Sequence, residues 1–234
     1  MDEKITAIIL AAGKGTRMQS EMPKQYLPLL GKPILFYSLQ AFEQSAVDEI
    51  ILVTGKEEQE YCKKEIIEKY KFQKVVHIAE GGAERYDSVY QGLLAAKGAE
   101  YILIHDGARP LITTDIIYTA IQEVKKKGAC VVGMPVKDTI QLVTSEQIIE
   151  FTPIRKRTWI AQTPQCFEYS VVLSAYKKAI EHKDSSITDD AMVVMRYGNR
   201  EVSMIEGSYE NIKVTTPEDI LLAELFLNQQ KNKK

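Results

Sequence analysis

The stretch Ile5-Thr6-Ala7-Ile8-Ile9-Leu10-Ala11-Ala12-Gly13-Lys14-Gly15-Thr16-Arg17-Met18 decides how the rest of the chain is read. Its first half is a short apolar run that stops at glycine, which reads as a buried strand over residues 5–11. Its second half is polar, basic and glycine-containing, and reads as a loop over residues 13–23. Small residues at a strand end let a phosphate or a base approach the main chain, whose N–H groups then donate to anionic oxygens. Lys14, Arg17 and Lys24 add positive charge. The spacing is not a Walker A loop, and Met18 stands where a dinucleotide fingerprint needs its third glycine. A plain glycine turn is the other reading, and the clustered cations weigh against it.

Working outward, the pattern predicts helices over 33–44, 57–69, 85–96 and 114–127, and strands over 49–54, 75–79, 101–105 and 129–136. Pro33 suits a first helical turn. Val89, Leu93 and Ala96 share one helical face, and Thr113 or Thr114 can cap the helix that follows. Such alternation makes an α/β fold with a parallel sheet and helices on both faces. Ligands of such sheets bind at the carboxyl ends of the strands, here the loops after Leu10, Ala79, His105 and Pro135. Residues 139–159 break the rhythm. Two short runs, 139–143 and 148–151, flank Thr144-Ser145-Glu146-Gln147 and read as a hairpin. It is too small to bury its own face, so it must lean on the body or on a second subunit. Beyond it the pattern predicts helices over 170–181 and 189–197, a strand over 201–206, a last helix from 217 to about 227 and a polar tail.

The 234 residues are 45% hydrophobic and 26% charged, the balance of one globular α/β domain. Net charge is −2, without the basic excess of a nucleic-acid binder, so any anion site must be built locally. Cys62, Cys130 and Cys166 match no metal spacing and read as small buried residues of a cytoplasmic protein. The first residues lead into an apolar run too short for a signal peptide, and no segment has the length of a membrane span. His77, His105 and His182 share no zinc spacing. His105 reads as a strand-end histidine packed against the sheet rather than an acid–base catalyst.

The loop over 11–18, followed by Pro23-Lys24-Gln25-Tyr26, resembles the signature loop of sugar-phosphate nucleotidyltransferases. Later motifs narrow the resemblance: Gly81-Gly82-Ala83-Glu84-Arg85-Tyr86-Asp87-Ser88-Val89, His105-Asp106-Gly107-Ala108-Arg109-Pro110, Val136-Lys137-Asp138-Thr139, Gln162-Thr163-Pro164-Gln165, Thr188-Asp189-Asp190-Ala191 and Asn211-Ile212-Lys213-Val214-Thr215-Thr216-Pro217-Glu218-Asp219. In this order they are similar to the 2-C-methyl-D-erythritol 4-phosphate cytidylyltransferase family of the non-mevalonate isoprenoid pathway, from residue 5 to about 227. The resemblance implies a Rossmann-like, mostly parallel sheet with helices on both faces, in one domain over 1–234. A protruding hairpin arm over 137–160 would make a homodimer. It implies transfer of CMP from CTP to methylerythritol phosphate with release of pyrophosphate, dependent on Mg²⁺. The ribitol-5-phosphate cytidylyltransferases share many of these motifs. A CTP-binding regulatory protein without catalysis is a third reading, and the joint presence of Arg17, Lys24, Asp106 and Lys213 argues against it. A nicotinamide oxidoreductase is disfavoured by Met18 and by Thr54-Gly55-Lys56, where an acid would stand.

Two anions must meet in such a transfer, and the acceptor phosphate is already a nucleophile. The reaction therefore asks for positioning and charge stabilisation, not for a general base. By resemblance, Arg17 and Lys24 hold the outer phosphates, Lys213 attends the α-phosphate, and Asp106 contacts the nucleotide and holds Mg²⁺. Asp106 as a loop aspartate closing its own turn is the alternative. Ala11, Ala12, Gly13, Gly81, Gly82 and Ser88 would receive the nucleoside, with Gly81-Gly82 otherwise a simple turn. Ala83 departs from the polar residue that relatives often carry, which matters only if that side chain touches the nucleotide. Thr139, Arg155, Thr163, Thr188 and Asp189 match acceptor-binding positions. Arg157 competes with Arg155, and Arg85 and Arg109 either touch ligand or tie loops to carboxylates.

Overall fold

The run at 5–11 becomes β1 (Ile5–Ala11), buried at every residue but Leu10, which is half-buried. Ala7, Ile9 and Ala11 pack into one layer and Ile8 into the other. Successive side chains of a strand point to opposite faces, so a strand covered on both sides must be apolar throughout. The computed structural model describes residues 3–13, 18, 22–184 and 186–232. A short antiparallel pair, β2 (Pro28–Leu29) and β3 (Lys32–Pro33), precedes α1 (Ile34–Glu43) and β4 (Glu49–Thr54). Then come α2 (Gln59–Tyr61), β5 (Val75–Glu80), α3 (Arg85–Ala95), β6 (Tyr101–Asp106), α4 (Thr114–Lys127) and β7 (Ala129–Pro135). The remainder is β8 (Leu142–Val143), β9 (Ile149–Phe151), β10 (Trp159–Glu168), α5 (Tyr169–Glu181), α6 (Asp190–Tyr197), β11 (Ser203–Glu206) and α7 (Pro217–Asn232).

Seven strands form the central sheet in the order β11-β7-β10-β6-β1-β4-β5. All its neighbours are parallel except β10, which runs antiparallel to both β6 and β7. One face is covered by α1, α4 and the π-helical turns that continue α2 through Cys62–Glu68, burying Cys62 and Ile66. The other is covered by α3, α5 and α6. A smaller cluster, including Leu29, Ile34, Val214 and Ala223, seats α7 against β2.

The mostly parallel sheet is the expected one, but β10 is an addition that the sequence pattern hides. The proline of Gln162-Thr163-Pro164-Gln165 removes a ladder donor, and within sheets proline is confined to edges and bulges. Here it sits in a bulge: the β10–β7 register shifts between Ala161 and Gln165. The helix expected over 57–69 begins as a 3₁₀ turn, Lys56–Glu58, before α2. Of the two possible caps for α4, Thr113 is used, its Oγ1 accepting from Ile116 N–H at 3.3 Å. Gly128, at φ 78°, closes the same helix behind three lysines that suit its negative end.

The hairpin forms over a narrower span than expected. β8 and β9 pair only with each other. Thr144 Oγ1 shapes the turn by accepting from the N–H groups of Glu146 and Ile148, both at 3.2 Å. Leu142, Val143, Ile148, Ile149 and Phe151 are exposed.

Candidate active site

The chain diverges at the carboxyl ends of β1 and β6, where Leu10 lies beside Asp106 in register. From β1 it proceeds through α1 to β4 on one side, while β6 lies on the other, which is the topological switch point where such sheets bind ligands. Gly107 N–H donates to Leu10 O at 2.8 Å. A Cβ at Gly107 would stand 2.8 Å from Leu35 Cδ1 and 2.9 Å from Leu10 O, so the two strand ends approach this closely only with glycine there. The loop after β5 closes on the loop after β1: a Cβ at Gly81 would lie 2.5 Å from Ala12 Cβ. Ser88 Oγ accepts from Gly82 N–H at 3.1 Å and donates to Glu84 O at 3.2 Å, shaping this loop. Gln25 Nε2 donates to the carbonyls of Ala11 and Gly13. Ala83 is exposed. Arg17 lies outside the described residues.

Charge converges on the same edge. Lys213 Nζ is 2.7 Å from Asp106 Oδ2, and Arg85 Nε is 3.3 Å from Oδ1. Lys24 Nζ donates to Val214 O at 2.8 Å, next to Lys213. Burial opposes ionisation of Asp106, but Arg85, Lys213 and Arg109 outweigh it and hold the carboxyl well below the usual carboxylate range. Arg85 also places its two terminal nitrogens on Asp190, at 2.8 and 2.9 Å. Burial disfavours the Arg85 charge, yet the two carboxylates raise its pKa. Asp190 is fully buried and was not among the expected site residues. The available signal was the doubled acid Asp189-Asp190, of which one caps a helix and the other turns inward.

Arg109 ties loops together, donating from Nη1 to Asn211 O at 2.8 Å. Asn211, buried, donates to Gln162 Oε1 and Thr163 O. Val214 N–H donates to Ala108 O at 2.8 Å, so the segment carrying Lys213 is pinned to the loop after β6 and, through Asn211, to the bulge of β10. His105 is fully buried, its Nε2 lying 3.3 Å from Arg109 O. That carbonyl can only accept, so Nε2 carries the proton and Nδ1 accepts from Thr163 Oγ1 at 3.0 Å. Burial pushes the imidazole down to about 3, which keeps it neutral.

The expected acceptor residues divide. Thr163 is buried, its hydroxyl engaged by His105 Nδ1 and by Asp106 N–H at 3.1 Å, which gives it an internal role in holding Asp106. Asp189 caps α6 through Met192 N–H at 2.9 Å and accepts from Gln165 Nε2 at 3.3 Å. Thr188 is exposed and lines a cavity of about 360 Å³ with Glu84, Arg85, Tyr86 and Ile187. Thr139 and Arg155 are exposed on the arm, as is Arg157.

Among the described residues no three His, Cys, Asp or Glu side chains gather as a metal cage. Mg²⁺ does not need one: it takes one or two carboxylates and completes its shell with phosphate oxygens and water. Asp106, anionic and at the strand edge, fits as that single carboxylate, with Lys213 yielding Oδ2. No helix among the described residues is long and apolar enough to cross a membrane. Cys62, Cys130 and Cys166 are free and buried.

Comparison with known proteins places the chain in one family. A family model described as 2-C-methyl-D-erythritol 4-phosphate cytidylyltransferase matches residues 5–229. A protein of that name from Lachnoclostridium phytofermentans is 50% identical over 230 residues, covering 98% of this chain and 99% of the relative. One from Alkaliphilus oremlandii is 49% identical, covering 97% of each. The crystal structure of 4-diphosphocytidyl-2C-methyl-D-erythritol synthase from Anaerococcus prevotii superposes with a TM-score of 0.85 at 31% identity, over 97% of this chain and 96% of that one.

Proposed function

The chain belongs to the 2-C-methyl-D-erythritol 4-phosphate cytidylyltransferase family, and we propose from its strand-end geometry how its residues carry out that reaction. It transfers CMP from CTP to 2-C-methyl-D-erythritol 4-phosphate and releases pyrophosphate. The observation that carries the residue assignment is the convergence of Lys213, Asp106 and Lys24 beside the glycine loops: Lys213 Nζ at 2.7 Å from Asp106, and Lys24 on the adjoining Val214 carbonyl.

The nucleoside end of CTP enters against Ala11, Ala12, Gly13, Gly81 and Gly82, whose lack of bulk lets main-chain donors reach it. Ser88 keeps that loop in shape. Lys24 and Arg17 take the outer phosphates and hold the charge that grows on departing pyrophosphate. Lys213 serves the α-phosphate, where a five-coordinate arrangement gathers charge. Donors already in place cost no reorganisation when the charge develops. Asp106 would hold Mg²⁺ together with phosphate oxygens, and the ion supplies charge neutralisation on the triphosphate. No side chain is needed as general base, and neutral His105, with both ring nitrogens engaged, serves the scaffold.

On the acceptor side, Thr188 borders the cavity and Thr139 and Arg155 come from the arm of a second subunit. The support for this is the arm's exposed apolar face and its small size, which leaves that face uncovered by the arm itself. Thr163 and Asp189 contribute by holding Asp106 and the start of α6. Three free thiols accord with a cytoplasmic setting.

Pyrophosphate release with CTP and Mg²⁺ tests the reading, with methylerythritol 4-phosphate and ribitol 5-phosphate offered in parallel. Release with the first alone is expected. Release with ribitol phosphate alone would move the protein to another acceptor, and release with neither would remove catalysis.

A further inference from the structure

Arg85 is shared by two carboxylates from distant parts of the chain. Its Nε faces Asp106 at 3.3 Å, and its terminal fork grips Asp190 at 2.8 and 2.9 Å. Asp106 in turn holds Lys213 at 2.7 Å. The four side chains thus form an alternating row, Asp190–Arg85–Asp106–Lys213. Its far end is anchored in the core. Asp190 is fully buried at the first turn of α6, and Tyr176 of α5, itself fully buried, donates its hydroxyl to Asp190 Oδ1. A guanidinium gripped by two parallel bonds is fixed in angle as well as in position, which a single contact does not achieve. Asp190 therefore sets where the Nε of Arg85 can stand, and with it which oxygen of Asp106 is left for Lys213 and for a nucleotide-bound cation. Without Asp190, the fork of half-buried Arg85 would lose its partner and would turn onto Asp106, the carboxylate that remains.

We infer that Asp190 is a positioning residue for the transfer reaction, acting through Arg85 to orient Asp106 and Lys213, with Tyr176 holding Asp190 in turn. The inference rests on the cytidylyltransferase reading above. Merely neutralising a half-buried arginine would be a different role, and a glutamate at the same place would fill it. Positioning would not survive the added methylene, because the fork and then Nε would be displaced.

The test is steady-state pyrophosphate release by wild type, Asp190→Asn, Asp190→Glu, Arg85→Lys and the double variant Asp190→Asn/Arg85→Lys, with melting temperatures alongside. The expected result is a turnover roughly tenfold or more lower in both Asp190 variants, with the KM for CTP within about threefold of wild type. The losses of Asp190→Asn and Arg85→Lys should not multiply in the double variant, since both break the same link. Turnover within about threefold of wild type in the folded Asp190→Glu protein, or losses that multiply, overturns the inference. If neither Asp190 variant folds, Tyr176→Phe replaces them: a turnover loss of threefold or more at unchanged KM supports the relay, and unchanged turnover overturns it. Wild type inactive with every acceptor would sink the cytidylyltransferase reading and this inference with it. An active wild type with indifferent variants would sink the inference alone.

Discussion

Lys213 and Asp106 meet at 2.7 Å, joining the loop before α7 to the carboxyl end of β6. Lys24 reaches the same loop through Val214 O. Lys24 is assigned to charge growing on the departing pyrophosphate and Lys213 to charge gathering at the α-phosphate, so removing either should cost more in the transition state than in the ground state. Lys24→Ala and Lys213→Ala should each lower turnover about 100-fold or more while CTP dissociation constants change much less. Single-turnover kinetics with equilibrium CTP binding checks this. Weakened binding at unchanged turnover would refute the assignment.

The neutral, buried His105 makes stability depend on pH. Its folded value is depressed to about 3, against about 6.5 for an unfolded histidine. The unfolded chain therefore binds the proton first as pH falls, so the stabilisation is complete above about pH 6.5 and is lost progressively towards pH 3. At pH 5 the loss from this residue is about 2 kcal/mol. Melting temperatures should fall by several degrees between pH 7 and pH 5, and the slope should flatten in His105→Gln. A slope unchanged by the substitution would contradict the assignment.

Gly13 and Gly81 separate ligand approach from protein packing. Among the described residues nothing lies within 4 Å of a Cβ at Gly13, whereas one at Gly81 would meet Ala12 and Ser88. Gly13→Ala should leave the melting temperature unchanged and raise the KM for CTP about tenfold, because no described residue contests the space that the nucleotide would enter. Gly81→Ala should lower the melting temperature as well. Thermal shift with and without CTP distinguishes the two.

If the arm completes a neighbouring site, Arg155→Ala should raise the KM for the acceptor and leave CTP affinity alone. A defect in Arg157→Ala instead would move that role two residues on. At acceptor concentrations well below the raised KM, mixed dimers of Arg155→Ala and Lys213→Ala chains should regain roughly a quarter of wild-type activity, since half the dimers hold one intact site. No recovery on mixing would exclude a shared site. Phe151→Glu should yield monomers by sedimentation.

The sequence by itself determined the parallel scaffold, because strands buried on both faces must be apolar and must alternate with amphipathic helices. It also placed the glycine loops and the residues Lys24, Asp106 and Lys213 through a resemblance that spans nearly the whole chain. It did not disclose β10, because Pro164 in a central strand looks like a break until the bulge that accommodates it is seen. Only the tertiary structure decided which neighbours each polar group serves. Thr163 looked like a ligand residue and proves to be engaged by Asp106 and His105. Asp190 carries no role in the sequence reading and proves to be the buried partner of Arg85. Periodicity records the face on which a residue lies. A hydrogen bond between residues far apart in the chain depends on angles and distances that arise only when β6, β10, α3 and α6 pack together, and one-dimensional patterns carry no trace of them.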